Sequence, residues 1–211
     1  MNNKIKRSSP SSEQRAELQK LRILKAARTC FIQDGLHAGT IARISETAQM
    51  SPGLIYRYFS SREEIVLGLM RLQVKAGFGP GIAGLTPKVV TARICEYLRR
   101  WLAGDPDVPS PPLILEMSAE STRNEAIAKH VVDADKEARA SLIAWLTDLS
   151  TQAGETVSEK EIQIRAMALG CFIDGLVLRA AREPDLDMEI VEKSMDSLMA
   201  MVVPSPPRKA T

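Results

Sequence analysis

Thr40 to Glu64, TIARISETAQMSPGLIYRYFSSREE, is the stretch that decides the fold. Its first part places Ile41, Ile44 and Ala48 at i, i+3 and i+7, one apolar face of a short helix, and Thr40 stands in front of it to accept a backbone N–H bond. Gln49 and Met50 make a turn. Ser51 then restarts a helix with Pro52 at its first position, where the missing N–H costs nothing and the fixed φ already suits helix. Met50 before that cap and Ile55 four positions inside it have the spacing of a hydrophobic staple, which sets the angle at which the second helix leaves the turn.

On a wheel of about 100° per residue, placing Ile55 and Phe59 inward puts Gly53 and Arg57 on the opposite side, flanked by Leu54 and Tyr56. That face suits a nucleic-acid groove. Gly53 lets the backbone approach closely, Arg57 can pair with guanine O6/N7 or with a phosphate, and the hydroxyls of Tyr56 and Tyr58 can donate to phosphate oxygens. Ser60 with Glu63, or Ser61 with Glu64, has capping-box spacing for a following helix, so Arg62 falls at a helix N-terminus suited to an anion, for which a phosphate is expected. A bland alternative for two short amphipathic helices is a small hairpin with a solvated face.

The motifs are more particular than that alternative. FxxxG at Phe31 to Gly35, TIxxIxxxA, the turn, SPGxIYxYF and SxEE together resemble the DNA-binding domain of the tetracycline-repressor (TetR) family of bacterial regulators, from about Leu21 to Leu69, roughly a quarter of the chain. The sequence departs from the family at two places: Gln49 stands where a turn glycine is usual, and a non-glycine in a left-handed conformation costs about 1 kcal/mol; Arg62 stands where lysine is usual, keeping the charge. The resemblance implies DNA contacts from Thr40, Arg43, Ser51, Pro52, Gly53, Leu54, Tyr56, Arg57, Tyr58 and Arg62, with Arg43 facing either phosphate or water.

Charge is distributed accordingly. Residues 1 to 60 carry ten Lys/Arg against four Asp/Glu, and residues 61 to 211 carry eighteen against twenty-two, a basic head on a mildly acidic body. With 45% hydrophobic and 4% aromatic residues, the composition is that of a helix-rich protein with a real core. Residues 1–12 form a polar segment without an apolar signal-peptide region, so a cytoplasmic location is expected; its Lys4, Lys6 and Arg7 make either a minor-groove arm or a solvated tail. Residues 13–60 are expected to be the DNA-binding domain, opened by a helix from Glu13 to Asp34 with Leu18, Leu21, Leu24, Ala27 and Phe31 inward. Residues 61–77 are a connecting helix, and the glycine-rich Gly77 to Pro87 is the expected border with a second domain over residues 78–203, followed by a tail over residues 204–211.

The second domain reads as helices throughout: Lys88 to Ala103, Leu113 to about Ser121, Asn124 to about Ala153, a helix opened by Ser158 and Glu161 and running to about Arg182, and Asp187 to Val203. The fold class is therefore all-α, with a three-helix helix-turn-helix domain and a larger helical domain, about nine helices in all. The string FIDGLVLRAAREPDLD resembles the C-terminal domain of the betaine-repressor (BetI-like) branch. By resemblance, a small apolar or amphipathic effector enters this domain, and Ile94, Leu98, Trp101, Leu113, Met117, His130, Trp145 and Phe172 are the expected pocket. Two strongly apolar terminal helices either belong to one core or pack against their copies in a homodimeric four-helix bundle, through Phe172, Gly175, Leu176, Arg179, Met188, Val191, Met195, Leu198 and Met199.

No enzyme site can be assembled from these residues. Cys30, Cys95 and Cys171 lie in unrelated helices without a CxxC, each expected to be small and buried, and neither His37 nor His130 has a second ligand at i+3 or i+4, so neither a metal nor another cofactor is implied. Asp174 interrupts an apolar run and is expected to be buried with a partner such as Arg179, or to meet a cationic ligand; Tyr97, Trp101 and Trp145 either pack the core or form an aromatic site. The expected function is a ligand-responsive regulator, a repressor binding a palindromic operator as a homodimer. The alternative is an architectural helical protein that binds DNA without sequence choice.

Overall fold

A computed structural model describes residues 11–76 and 81–204, and among these every regular element is an α-helix. The basic arm with Lys4, Lys6 and Arg7, the start of the glycine-rich connection at Gly77 to Pro80 and the tail beyond Pro204 lie outside the described residues. Among the described residues nine helices follow in order: α1 (Ser12–Asp34), α2 (Ile41–Ala48), α3 (Pro52–Tyr56), α4 (Arg62–Ala76), α5 (Pro87–Leu102), α6 (Pro111–Ser121), α7 (Glu125–Ala153), α8 (Glu159–Arg182) and α9 (Met188–Val202). They form two compact units that divide within α4, between Met70 and Arg71, earlier than the glycine-rich stretch.

In the first unit, α1 is opened by a capping box that periodicity alone did not locate. The Ser11 hydroxyl accepts from the Gln14 N–H at 3.1 Å, and the Gln14 side chain accepts from the Ser11 N–H at 2.8 Å, so α1 begins inside what the composition marks as an arm. The core-facing stripe of α1 is Ile23, Leu24, Ala26, Ala27, Cys30 and Phe31, and Ile44, Ile55, Phe59, Ile65 and Leu69 are among the other buried residues of this unit. Leu18 and Leu21, expected inward, are 57% and 39% exposed, because the burying face of α1 starts only at Ile23. Between α1 and α2, Gly39 lies against Phe31: a methyl group built there would stand 2.2 Å from the ring.

The turn between α2 and α3 holds Gln49 at φ 52, ψ 48, and among the described residues no other non-glycine has a positive φ. The buried Ser45 hydroxyl donates to the Met50 carbonyl at 2.7 Å, and the Met50 N–H donates to the Ser45 carbonyl at 3.0 Å, so the turn is tied to α2 at both ends of one residue. Ser51 caps α3 by accepting from the Leu54 N–H at 3.2 Å, with Pro52 at the first position and Met50 and Ile55 both buried. α3 is shorter than the expected Ser51 to Phe59: the α-helix stops at Tyr56, and Arg57 and Tyr58 form a turn that delivers Phe59 to the core.

In the second unit, side-chain caps start every described helix from α5 onward: Thr86, Ser110, Asn124, Ser158 and Asp187 each accept from a first-turn N–H. Ser158 and Glu161 do not close a reciprocal box, because the Glu161 carboxylate accepts from Arg165 at 3.1 Å instead. One core joins α5, α7, α8 and α9 through Ile94, Leu98, Trp145, Leu146, Leu169 and Met195.

Two stability outcomes follow. Gly39→Ala should cost about 1–3 kcal/mol by forcing the Phe31 ring aside, and Gln49→Gly should gain no more than about 0.5 kcal/mol, the release of left-handed strain net of unfolded-chain entropy. Urea unfolding followed by circular dichroism checks both; a neutral Gly39→Ala would contradict the Phe31 contact.

Candidate nucleic-acid interface

The face expected to meet DNA is assembled by α3 and its caps. Ser51, Pro52, Gly53, Tyr56 and Arg57 are exposed, Tyr56 at 53%, and no atom lies within 4 Å of the position a Gly53 side chain would take. Leu54 and Tyr58 are half-buried flanks. The inward side is Ile55 alone, at 0% exposure, so a five-residue helix is held by one anchor, a cap and the Met50 turn while its other face stays open. Thr40 caps α2, its hydroxyl accepting from the Arg43 N–H at 3.3 Å.

The two arginines flanking this face do not resemble Arg57. Arg43 is exposed but paired, its Nε donating to Asp34 at 3.2 Å and its terminal nitrogen to Glu46 at 3.0 Å; these bonds hold its already high pKa higher. Arg62 departs from expectation. Its Nε donates to the Gly39 carbonyl at 2.9 Å, a terminal nitrogen donates to the Leu36 carbonyl, and the guanidinium lies 5.4 Å from the centre of the Phe31 ring. The anion position at the start of α4 is filled by the chain's own groups. Glu64 accepts from the Ser60 N–H at 2.5 Å and its hydroxyl at 2.8 Å, Ser61 accepts from the Glu64 N–H at 3.2 Å, and the Glu63 carboxyl is held below its ordinary range by bonds from its own N–H and the Ser61 hydroxyl. In this structure Arg62 is thus engaged by groups of the protein itself. The sequence pattern registered its charge but not its direction.

The second unit contains a cavity of about 920 Å³ between α5, α7 and α8. Val90, Ile94, Tyr97, Leu142, Ala166 and Ile173 supply apolar wall; Lys88, Arg93, Glu96, Asp135, Arg139 and Asp174 stand among them. Of the eight residues expected to form a pocket, Ile94 lines this cavity. Leu98, Leu113, Met117 and Trp145 are buried in the protein interior, Phe172 packs against the core, and His130 accepts from Arg71 at 3.1 Å on Nε2 while its Nδ1 donates to the Ala126 carbonyl at 3.0 Å. The indoles are structural: Trp101 donates to the Ala180 carbonyl at 3.1 Å and Trp145 to the Leu85 carbonyl at 2.8 Å. The Tyr97 hydroxyl donates to the Pro109 carbonyl at 3.2 Å while the side chain also borders the cavity.

Asp174 is neither buried nor paired with Arg179, which instead binds Glu183 at 2.6 Å; it is exposed on the cavity wall. Partial desolvation, and secondarily the nearby Asp135, raises its pKa. Cys171, expected to be buried, is exposed on the same helix. Four residues expected between subunits, Leu176, Val191, Met195 and Met199, are buried within the chain's own core at 6%, 3%, 0% and 4%, because the apolar helices spend one stripe on their own chain. The apolar residues left outside are Ile164 on α8 and Ile190 and Met201 on α9, 55–72% exposed, while the exposed Met167 of α8 lines the cavity; of the other expected interface residues, Arg179 is exposed and Phe172, Gly175, Met188 and Leu198 are half-buried.

A unit of α1 to α3 and the start of α4 with an outward α3, joined in sequence to an all-helical unit with a cavity, defines a helix-turn-helix DNA-binding regulator. Residues 23–69 match the bacterial regulatory proteins of the tetR family, and residues 87–203 match the C-terminal domain of BetI-type transcriptional repressors. The chain belongs to the TetR family, in the branch with a BetI-type C-terminal domain, and is a transcriptional regulator rather than an enzyme. It is 35% identical over 185 residues to the HTH-type transcriptional repressor AcnR of Corynebacterium diphtheriae, covering 85% of this chain and 93% of that one. Its fold is that of a transcriptional regulator from a Rhodococcus species (TM-score 0.70, 20% identity, 87% and 95% of the two chains) and of a Saccharomonospora viridis regulator solved with choline (TM-score 0.68, 18% identity, 87% and 96%).

The raised pKa of Asp174 gives a signed prediction. The folded chain holds this proton more tightly than the unfolded chain, so the contribution of Asp174 to stability should fall as pH rises from the ordinary aspartate range through the raised value, and stay level elsewhere. Asp174→Asn should abolish that part of the pH dependence in thermal melts and leave the neutral-pH protein slightly more stable; an unchanged pH profile would contradict the desolvation.

Proposed function

We propose that this chain represses transcription by binding a near-palindromic operator as a homodimer, and that a small apolar or amphipathic effector bound in the cavity of its second unit releases the DNA. The observation that carries the proposal is the α3 face, where Gly53, Tyr56 and Arg57 are exposed and Arg57 makes no ion pair among the described residues. Two copies place two such helices in successive major grooves, with half-sites about 34–36 Å apart. The apolar side chains exposed on α8 and α9 support pairing of those helices with a second copy.

The cavity supports the effector half of the proposal. Its wall is apolar with a few polar groups, the usual character of a small-molecule site, and the related fold from Saccharomonospora viridis holds choline. An effector acts by binding one dimer shape better than another, with a coupling of about 1–3 kcal/mol. Among the described residues no helix is long and apolar enough to cross a membrane, in keeping with a cytoplasmic regulator.

Arg57→Ala should weaken operator binding by about 1–3 kcal/mol and reduce discrimination between operator and scrambled duplex. Fluorescence anisotropy with both duplexes measures this. Parental affinity and discrimination in the variant would remove α3 as the DNA reader.

A further inference from the structure

The DNA-facing surface leaves Arg62 without a task. Its guanidinium donates to two carbonyls three residues apart, those of Leu36 and Gly39, and stands 5.4 Å from the centre of the fully buried Phe31 ring. A planar fork can meet both carbonyls while lying near an aromatic face, whereas a lysine ammonium is a point donor on a flexible stem and cannot reproduce the arrangement. Three parts of the first unit meet on this side chain. Arg62 is the first residue of α4, Phe31 belongs to the last turn of α1, and Gly39 immediately precedes Thr40, the cap of α2. Gly39 can occupy its place only because it lacks a side chain, since a methyl group there would strike the same ring. Glu63, Glu64, Ser60 and Ser61 meanwhile occupy the polar groups around the start of α4, so no vacant anion site accompanies the arginine.

We propose that Arg62 is a positioning residue for operator recognition, pinning the start of α4 to the entry of α2 so that the helix-turn-helix presents Gly53, Tyr56 and Arg57 at a fixed angle to α4. The proposal rests on the assignment of α3 as the DNA reader and adds a residue that acts without touching DNA. Loosening the pin lets the α2–α3 pair tilt about the α1–α2 loop. Register on base edges is then lost, while attraction between the basic unit and any duplex persists, because general affinity depends on charge and sequence choice depends on placement.

The test uses the full-length chain, an operator selected from a random duplex pool, a scrambled duplex of equal length, and anisotropy titrations over a range of salt well below the melting temperature. Arg62→Lys and Arg62→Ala are each expected to bind operator about tenfold more weakly, to bind scrambled duplex as the parent does, and to keep the parental slope of log affinity against log salt. Parental operator affinity in Arg62→Lys overturns the proposal, as does a uniform loss on both duplexes in Arg62→Ala with a slope reduced by about one, the mark of a lost phosphate contact. A lowered melting temperature with undiminished operator affinity overturns it too, by reducing Arg62 to a stabilising contact. Arg57→Ala in the same titrations separates the two ideas: if it alone weakens operator binding, only the positioning role fails, and if it has no effect, the DNA-reading assignment fails and takes this proposal with it.

Discussion

A two-residue turn fixes where α3 points, and the rest of the DNA-facing unit depends on it. Gln49 accepts a left-handed backbone that most side chains avoid, and the Ser45 hydroxyl locks the following carbonyl from inside the unit at 2.7 Å. Ser51 and Pro52 then begin the helix without needing the missing N–H, and Ile55 anchors it. A five-residue helix has too few internal bonds to be stable alone. It exists because its start is capped, its one buried side chain is fully enclosed, and the chain beyond it returns Phe59 to the core. Those same constraints leave its opposite face exposed.

The contrast among three arginines shows how environment assigns different roles to one side chain. Arg57 ends α3 and is exposed. Arg43 is exposed but balanced by Asp34 and Glu46, which makes it a weaker candidate for a phosphate because an existing ion pair must be given up. Arg62 faces the protein, on carbonyls and an aromatic ring. A tally of positive charge treats all three alike, whereas hydrogen-bond geometry separates an exposed arginine, an ion-paired one and one turned onto the protein.

Much of the first unit was legible in sequence because its signals are local. Thr40, Ser51 and Pro52 mark helix starts by backbone chemistry, Ile44 and Ile55 mark the inward face by spacing, and the strained Gln49 turn follows from the absence of a glycine. The direction of Arg62 was not legible, since it depends on carbonyls twenty-three and twenty-six residues away. In the second unit, periodicity found the helices but not the division of their apolar stripes. Leu98 and Trp145 have the apolar character of pocket residues yet are consumed by the core, and Met195 and Met199 serve the chain's own core rather than an outer face. The cavity wall includes Lys88, Arg93 and Glu96 on the polar side of α5, which an amphipathic wheel assigns to solvent. Which face of a helix borders a void depends on how its neighbours are spaced, and that is tertiary information.

The account stands on the outward face of α3 being the surface that meets DNA in two symmetric places. The most direct measurement replaces Tyr56, the exposed aromatic of that face, with a photoreactive benzoylphenylalanine in the full-length protein and maps the adducts on a selected operator at single-nucleotide resolution. The account predicts two adduct sites of equal strength, one in each half-site, related by the operator's dyad and about 34–36 Å apart. Adducts spread evenly over any duplex offered, or none on an operator that the protein demonstrably binds, would contradict it.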